Sequence, residues 1–553
     1  MDRERLESWC ERGILGLVLA IMIFAPLATG AVRAIDFSIV LALTSGVLAL
    51  WGVRLWAAEN PKLLCPPFCW AVLAFAAYAV ARYAACDLEY PGRLELLRVL
   101  VYTSLFFAIL NNLHRQESLR IVTFTMVGLA MLISCYALYQ FITGSDRVWN
   151  FISLYKGRAS GTYICPNHLG GFLEMLLPLA LSYALVGRLK IVPKIVLIYA
   201  ALVMVAGIGV TISRGSWVAA TLALLALFAV MSLHRNYRAP GMVAMVILIA
   251  GSTFFVTRSE FFKARWRQTV SSGHVDLDVR YVIWQSTARM WQDHFWWGVG
   301  PGHYDYRWRE YRPIEVQLRA DRAHNEYLNI LSDWGTVGGA LTGAALLVLL
   351  AGALKTWPHV RRAETAFGRG ESDKFAFYLG AAFGLFALLI HSTVDFNMRI
   401  PANAIVATAL MALLASQLRH ASGSYWLRPG TVARALMCLT MLALIALFCV
   451  QGVRLGREFV WLDRAETVSY GSPEQRELLL KAYEIEPKNF ETTQAVGETY
   501  RLKCFEGDDD YAEMATNAIS WYAKGKALNP YDGYNHLYTG MCLDKLDRHE
   551  EAR

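Results

Sequence analysis

Apolar runs long enough to cross a bilayer recur along most of this chain. They fall at about 14–34, 35–53, 66–84, 94–111, 120–141, 168–187, 191–212, 215–233, 241–257, 326–354, 375–393, 402–418 and 433–456. Hydrocarbon offers no partner for a backbone N–H or C=O, so a spanning segment must pair its own. A barrel strand needs only about ten residues, whereas runs of about 17–25 suit a helix. The expected fold is therefore all-α: a polytopic membrane protein of about 12–13 transmembrane helices. A composition of 56% hydrophobic and 18% charged residues excludes an ordinary soluble enzyme.

Charge divides the chain in two. From Arg457 onward there are 12 Lys and Arg against 19 Asp and Glu, while the whole chain is at +8. A basic membrane domain, 1–457, is expected to lead into an acidic, soluble, helical tail, 458–553. In the membrane domain the short basic connections alternate. Those holding Arg54, Arg115, Arg188, Arg235, Arg361 and Arg419 all fall on one face, which the positive-inside rule makes cytoplasmic. The N-terminus is then cytoplasmic, and the tail lies outside. No cleavable signal peptide is expected, because the first apolar run lacks a small-residue cleavage site.

The same alternation gathers four polar segments on the outer face: 143–167, the turn at 213–214, the long loop 258–325, and 391–403. The long loop holds ten Arg and one Lys against eight acids. Arginine in that excess suits bidentate contact with phosphate or carboxylate, although most of these residues are expected to face water or headgroups. Trp266, Trp284, Trp291, Trp296, Trp297 and Trp308 place the loop along the membrane interface in amphipathic helices, one of them over 279–292, with a tight turn at Pro301 and Gly302.

Individual residues stand out within those segments. His324 and Asn325 sit where the arginine-rich loop runs into an apolar helix, followed by Gly335 and Gly338. A helix start favours anions, and an imidazole there is suited to proton transfer near neutral pH; Asn325 is also a natural helix cap. Arg214, in SRGSW, marks the outer end of a span. His391 and Asp395 are four apart in HSTVDF and able to orient each other. Residues 158–171 (RASGTYICPNHLGG) read as a structured turn bordering a groove. Asp276 and Asp278 read as a solvated turn, and the ten scattered cysteines complete no zinc site. No phosphate-binding Walker loop, serine-hydrolase elbow or zinc-protease motif is present, so no metal or cofactor is expected.

In the tail, two stretches resemble one another about Pro487 and Pro530, 43 residues apart. The tail resembles tetratricopeptide repeats, whose period is about 34, with an insertion near 506–510. Whether Cys504 and Cys542 are bridged is left open.

The membrane part resembles the O-antigen ligase and polymerase family of membrane glycosyltransferases, over a core of about 158–403. The resemblance is carried by His324 and Asn325 with Gly335 and Gly338, by Ser213 and Arg214, by Arg280 ahead of Trp284, and by Asp395. It implies transfer of a glycan from an undecaprenyl-diphosphate carrier to an acceptor hydroxyl, outside the bacterial inner membrane. The acceptor would be lipid A core sugar, a growing polysaccharide or a protein. Catalytic roles fall to His324, Arg214, Arg280 and Asp395, and substrate contacts to Arg214, Arg280, Arg322 and Asn325. Membrane lipids surround the bundle, the tail is free to take a protein partner, and no nucleic acid is involved. Two alternatives from other classes are a polysaccharide or lipid transporter, which would carry charges deep within its spans, and a membrane scaffold with a partner-binding tail. Ligase and polymerase are not separable at this stage.

Overall fold

The computed structural model describes residues 3–258, 260, 263, 275–314, 316–317, 319–361 and 371–553, except for the side chains of 275–278. Twelve described helices are long and apolar enough to span a membrane. These are α1 (Arg3–Leu27), α2 (Ala34–Ala57), α4 (Glu89–Asn112), α5 (Gln116–Thr143), α6 (Pro166–Val186), α7 (Ile191–Val210), α8 (Arg214–Leu233), α9 (Arg238–Arg258), α12 (Glu326–Val360), α13 (Asp373–His391), α14 (Pro401–Ser416) and α15 (Thr431–Thr467). A thirteenth, α3 (Phe68–Ala84), has 17 residues. The turn between α1 and α2 is closed by an ion pair from Arg33 to Asp36 at 2.7 Å.

Helices α6 and α14 are buried almost throughout and form the centre of the bundle. The closest pairing is α6 with α13. It depends on small residues: a Cβ at Gly380 would lie 2.6 Å from Leu179 Cα. Glycines four apart, Gly380 and Gly384, let the two backbones meet, as small residues do in membrane bundles. By contrast α9 buries only Gly241. Its apolar surface is of the kind that faces lipid.

Contacts between connections sort into two faces. On one, β1 (Leu63–Leu64) pairs antiparallel with a strand at Trp426–Leu427. There too Arg115 meets Glu11 at 3.0 Å and Lys194 meets Glu371 at 2.6 Å. On the other, Asp87 accepts from Tyr531, Thr29 bridges to Tyr163, and the Glu326 N–H donates to Ser392 O. Helix α3 runs from the first group to the second, so it too crosses. The second set is called the loop face below.

The long loop folds into a body of its own on the loop face. Helix α10 (Val275–Asp293) packs with α11 (Tyr304–Arg307) around Ile283, Met290, Val299, Tyr304, Trp308, Val316, Ala320 and Ala323. The tryptophans depart from the interfacial reading. Trp308 is only 1% exposed. Trp284 Nε1 donates to Ala323 O and Trp291 Nε1 to Thr336 Oγ1. An indole's apolar body serves a small core as well as a lipid boundary, and here the core takes Trp308, while Trp284 and Trp291 are half-buried and held by these hydrogen bonds. Trp296 and Trp297 remain largely exposed, and Trp266 lies outside the described residues.

The tail consists of α16 (Pro473–Ile485), α17 (Phe490–Glu506), α18 (Tyr511–Leu528), α19 (Gly533–Lys545) and α20 (His549–Ala552). The two look-alike stretches take equivalent structure. Asn489 and Asp532 cap α17 and α19 two residues after Pro487 and Pro530. Cys504 and Cys542 are free, buried thiols in the tail's core.

Candidate active site

The site is built where α12 begins. Asn325 is its N-cap, its side-chain oxygen accepting from Leu328 N at 3.1 Å. His324, just before, has φ +49°. A left-handed non-glycine residue is uncommon and persists where its surroundings hold it. Here Trp284 holds Ala323 O, and Asn329 Oδ1 accepts from Ala323 N at 3.2 Å. The ring of His324 stacks edge-on against Phe396, with centroids 5.1 Å apart. Its Nδ1 is buried without a hydrogen-bond partner among the described residues.

Helix α12 breaks ten residues later. Gly335 has φ +68° and ψ −175° inside the helix. The carbonyls freed by the break are paired by the loop body: Val299 N donates to Ser332 O at 2.8 Å and Gly300 N to Asp333 O at 3.0 Å. A Cβ on Gly335 would sit 2.5 Å from Gly298 N, so both the dihedral and the contact require glycine. The glycine after His324 and Asn325 thus makes a first half-helix, 326–334, that is locked to the loop body.

Beneath His324 lies the segment between α13 and α14. Asp395 is 2% exposed. Its oxygens lie 3.9 Å from His168 Nε2 and 3.9 Å from His391 Nε2. His391 Nδ1 lies 2.9 Å from Glu174 Oε1, and Asn397 Nδ2 is 3.1 Å from the same nitrogen. Phe396 stands between His324 and His168, whose ring is 5.0 Å from it. Burial pushes the Asp395 carboxyl up, but His168, His391, His324 and the Phe396 N–H together hold it below the ordinary range. For His324 burial pushes the pKa down, Asp395 opposes this, and Arg280 adds to it; the net direction is down.

The arginines come from three places. Arg214 is the first residue of α8, capped by Ser213. The next residue, Gly215, presses on His391: a Cβ there would lie 2.7 Å from His391 Nε2. Arg280, on α10, is near enough for its charge to act on His324. The structure therefore brings Arg280, His324 and Asp395 together and sets the Arg214 backbone against the same histidine cluster. Arg322 turns elsewhere: its Nη1 donates to Asp321 O at 2.6 Å, and its charge acts on Glu95 and Asp333.

Those carboxylates belong to a nest that sequence reading missed. Arg399, fully enclosed, binds Glu95 through Nη1, Asp333 at 2.7 Å through Nη2, and faces Glu326 at 3.7 Å. Its acid partners come from α4 and α12, so one guanidinium ties both helices to the segment carrying Asp395. Glu174 and Glu95 were likewise missed, and of His168 only its segment, 158–171, was singled out. Glu174 sits eight residues into α6, or about 12 Å at 1.5 Å per residue. A carboxylate inside an apolar run is itself a signal. Its partner, 217 positions away, is invisible without the fold.

The fold and site define a polytopic, all-α membrane protein with a buried histidine and carboxylate cluster under an arginine-bearing loop body. Residues 199–343 match a family model described as O-antigen ligase. The match supports a membrane glycosyltransferase of the ligase type. The matched stretch contains Arg214, Arg280, His324, Gly335 and Gly338 and ends before Asp395. A comparison with curated proteins finds no match.

Proposed function

We propose that the protein transfers a glycan from an undecaprenyl-diphosphate carrier to an acceptor hydroxyl at the outer surface of the bacterial inner membrane. The loop face is then extracytoplasmic, with the N-terminus inside. The acceptor hydroxyl attacks the anomeric carbon as the bond to the lipid diphosphate breaks, with inversion. His324 takes the hydroxyl proton. A pKa held down leaves its imidazole in the base form at neutral pH. Asp395, kept ionised, stabilises the imidazolium that results. Arg214 and Arg280 neutralise the departing diphosphate, supplying the charge a metal ion supplies elsewhere. Asn325 caps the helix that presents His324, and Arg322, turned toward Glu95 and Asp333, is left out of the substrate contacts.

The observation that carries this reading is the approach of a loop arginine, Arg280, and a bundle aspartate, Asp395, to an imidazole, His324, whose buried Nδ1 has no partner among the described residues. The domains follow suit: a membrane domain at 1–457 holds the chemistry, and a tetratricopeptide-like tail at 458–553 serves it. Buried carboxylates would also suit a transporter, but here they are matched by His391 and Arg399 next to the site. The test is an in vitro assay with an undecaprenyl-diphosphate glycan and lipid A core, polysaccharide or protein acceptors. Donor consumption with a new glycosidic bond is expected from wild type. A protein that moves the donor across a vesicle membrane without consuming it would be the transporter instead.

A further inference from the structure

The tail touches both the bundle and the loop body. Toward the bundle, Glu486 is fully buried and meets Arg93 of α4 at 2.7 Å and Arg454 of α15 at 2.9 Å. Asn489 donates to Glu458 of α15 at 2.7 Å, and Arg93 also donates to Gln451. Toward the loop body, Tyr306 OH donates to Glu491 at 3.2 Å, and its ring lies edge-on to Phe490. Arg319 lies 3.5 Å from Glu491 while binding Asp305. Arg309 meets Asp532 at 3.0 Å, and the Arg307 guanidinium lies 4.1 Å over the Tyr531 ring.

The gripped residues belong to, or sit between, members of the loop body's small core. Arg307 and Arg309 flank Trp308, and Arg319 precedes Ala320. The same core holds Ile283 and Met290 of α10, which carries Arg280, and Ala323, which precedes His324. Arg214 and Asp395 are on the bundle. The tail is therefore bolted at one end to the bundle and at the other to the body bearing the remaining two groups.

We propose that the tail is a strut that sets the loop body in register with the bundle, and that Glu491 and Asp532 are positioning residues for Arg280 and His324. This rests on the glycosyl-transfer reading for its catalytic part only. A small misplacement of a reacting group is costly in rate. Binding of a flexible lipid-linked donor tolerates it better. Loss of the strut accordingly lowers kcat and leaves KM nearly unchanged. It also makes the tail an integral part of the active enzyme.

The test uses the full-length protein carrying Glu491→Gln together with Asp532→Asn. Asparagine at 532 keeps the helix cap while removing the charge. Hydrogen exchange of backbone amides in 304–325 is expected to quicken about ten-fold, and exchange in α6 and α14 to stay at the wild-type rate. In the transfer assay kcat is expected to fall about ten-fold at near-constant KM for the donor. Unchanged exchange in 304–325 would overturn the strut whatever the activity. Faster exchange with wild-type kcat would overturn the positioning role. If wild type transfers nothing, the glycosyl-transfer reading fails, while the exchange measurement still decides the strut.

Discussion

At the scale of single residues, the proposed mechanism sets a neutral imidazole beside an ionised carboxylate. Since burial and Arg280 hold the His324 pKa below its ordinary value, the base form persists at neutral pH and is lost only as pH falls through that lowered pKa. Transfer measured from pH 4.5 to 8 should therefore rise with pH and be flat by pH 7. A midpoint at or above 7 would contradict the assignment. Removing the base in His324→Ala should cost about 10²–10⁴-fold in kcat, with little change in melting temperature. Arg399 is the opposite case. Replacing it by Ala leaves three carboxylates facing one another in a buried space. Stability should drop by about 3–5 kcal/mol, as for a broken buried ion pair, read from denaturant unfolding in detergent. The difference between these two residues explains what could be read in advance. His324 and Arg214 announce themselves by standing at the ends of apolar runs, whereas Arg280, inside the polar loop, is singled out only by the family resemblance. Arg399 binds Glu95 across 304 positions, and no local pattern carries that distance.

At the scale of elements, the break in α12 is the feature on which the site turns. It explains why an apolar helix contains glycine where helix propensity disfavours it. Gly335→Ala demands φ +68° of an alanine and drives its Cβ into the Gly298 backbone. The expected cost is about 1–3 kcal/mol from the dihedral alone, with transfer falling as the first half-helix loses its hold on the loop body. An alanine variant with wild-type melting and turnover would show that the break is dispensable. The apolar runs were legible as helices because their length admits little else in a bilayer. The orientation of amphipathic tryptophans was not, since an indole suits a lipid boundary and a small core equally; Trp308 took the core.

At the scale of the whole molecule, contacts sort the connections into two faces, and the proposal makes the loop face extracytoplasmic. Asn60, on the opposite face, and Asp509, in the tail, are both exposed. In intact cells with a permeable outer barrier, a membrane-impermeant maleimide should label Asp509→Cys at once. Asn60→Cys should react only after the inner membrane is opened. The reverse pattern would invert the topology and place the site in the cytosol, away from a lipid-linked donor presented outside. The tail's helical character was readable from its charge and its two similar stretches. Its grip on the loop body was not, because each contact joins a loop arginine or tyrosine to a tail residue more than 170 positions on.

The claim on which all of this depends is that groups from the loop body and the bundle form one catalytic unit. Groups that act as a unit are strongly non-additive when removed together. The decisive measurement is kcat/KM for transfer by Arg280→Ala, His324→Ala and the double variant. A double variant about as slow as the slower single variant is the predicted result. Losses that multiply, or either single variant at wild-type rate, would show that Arg280 and His324 do not share a site.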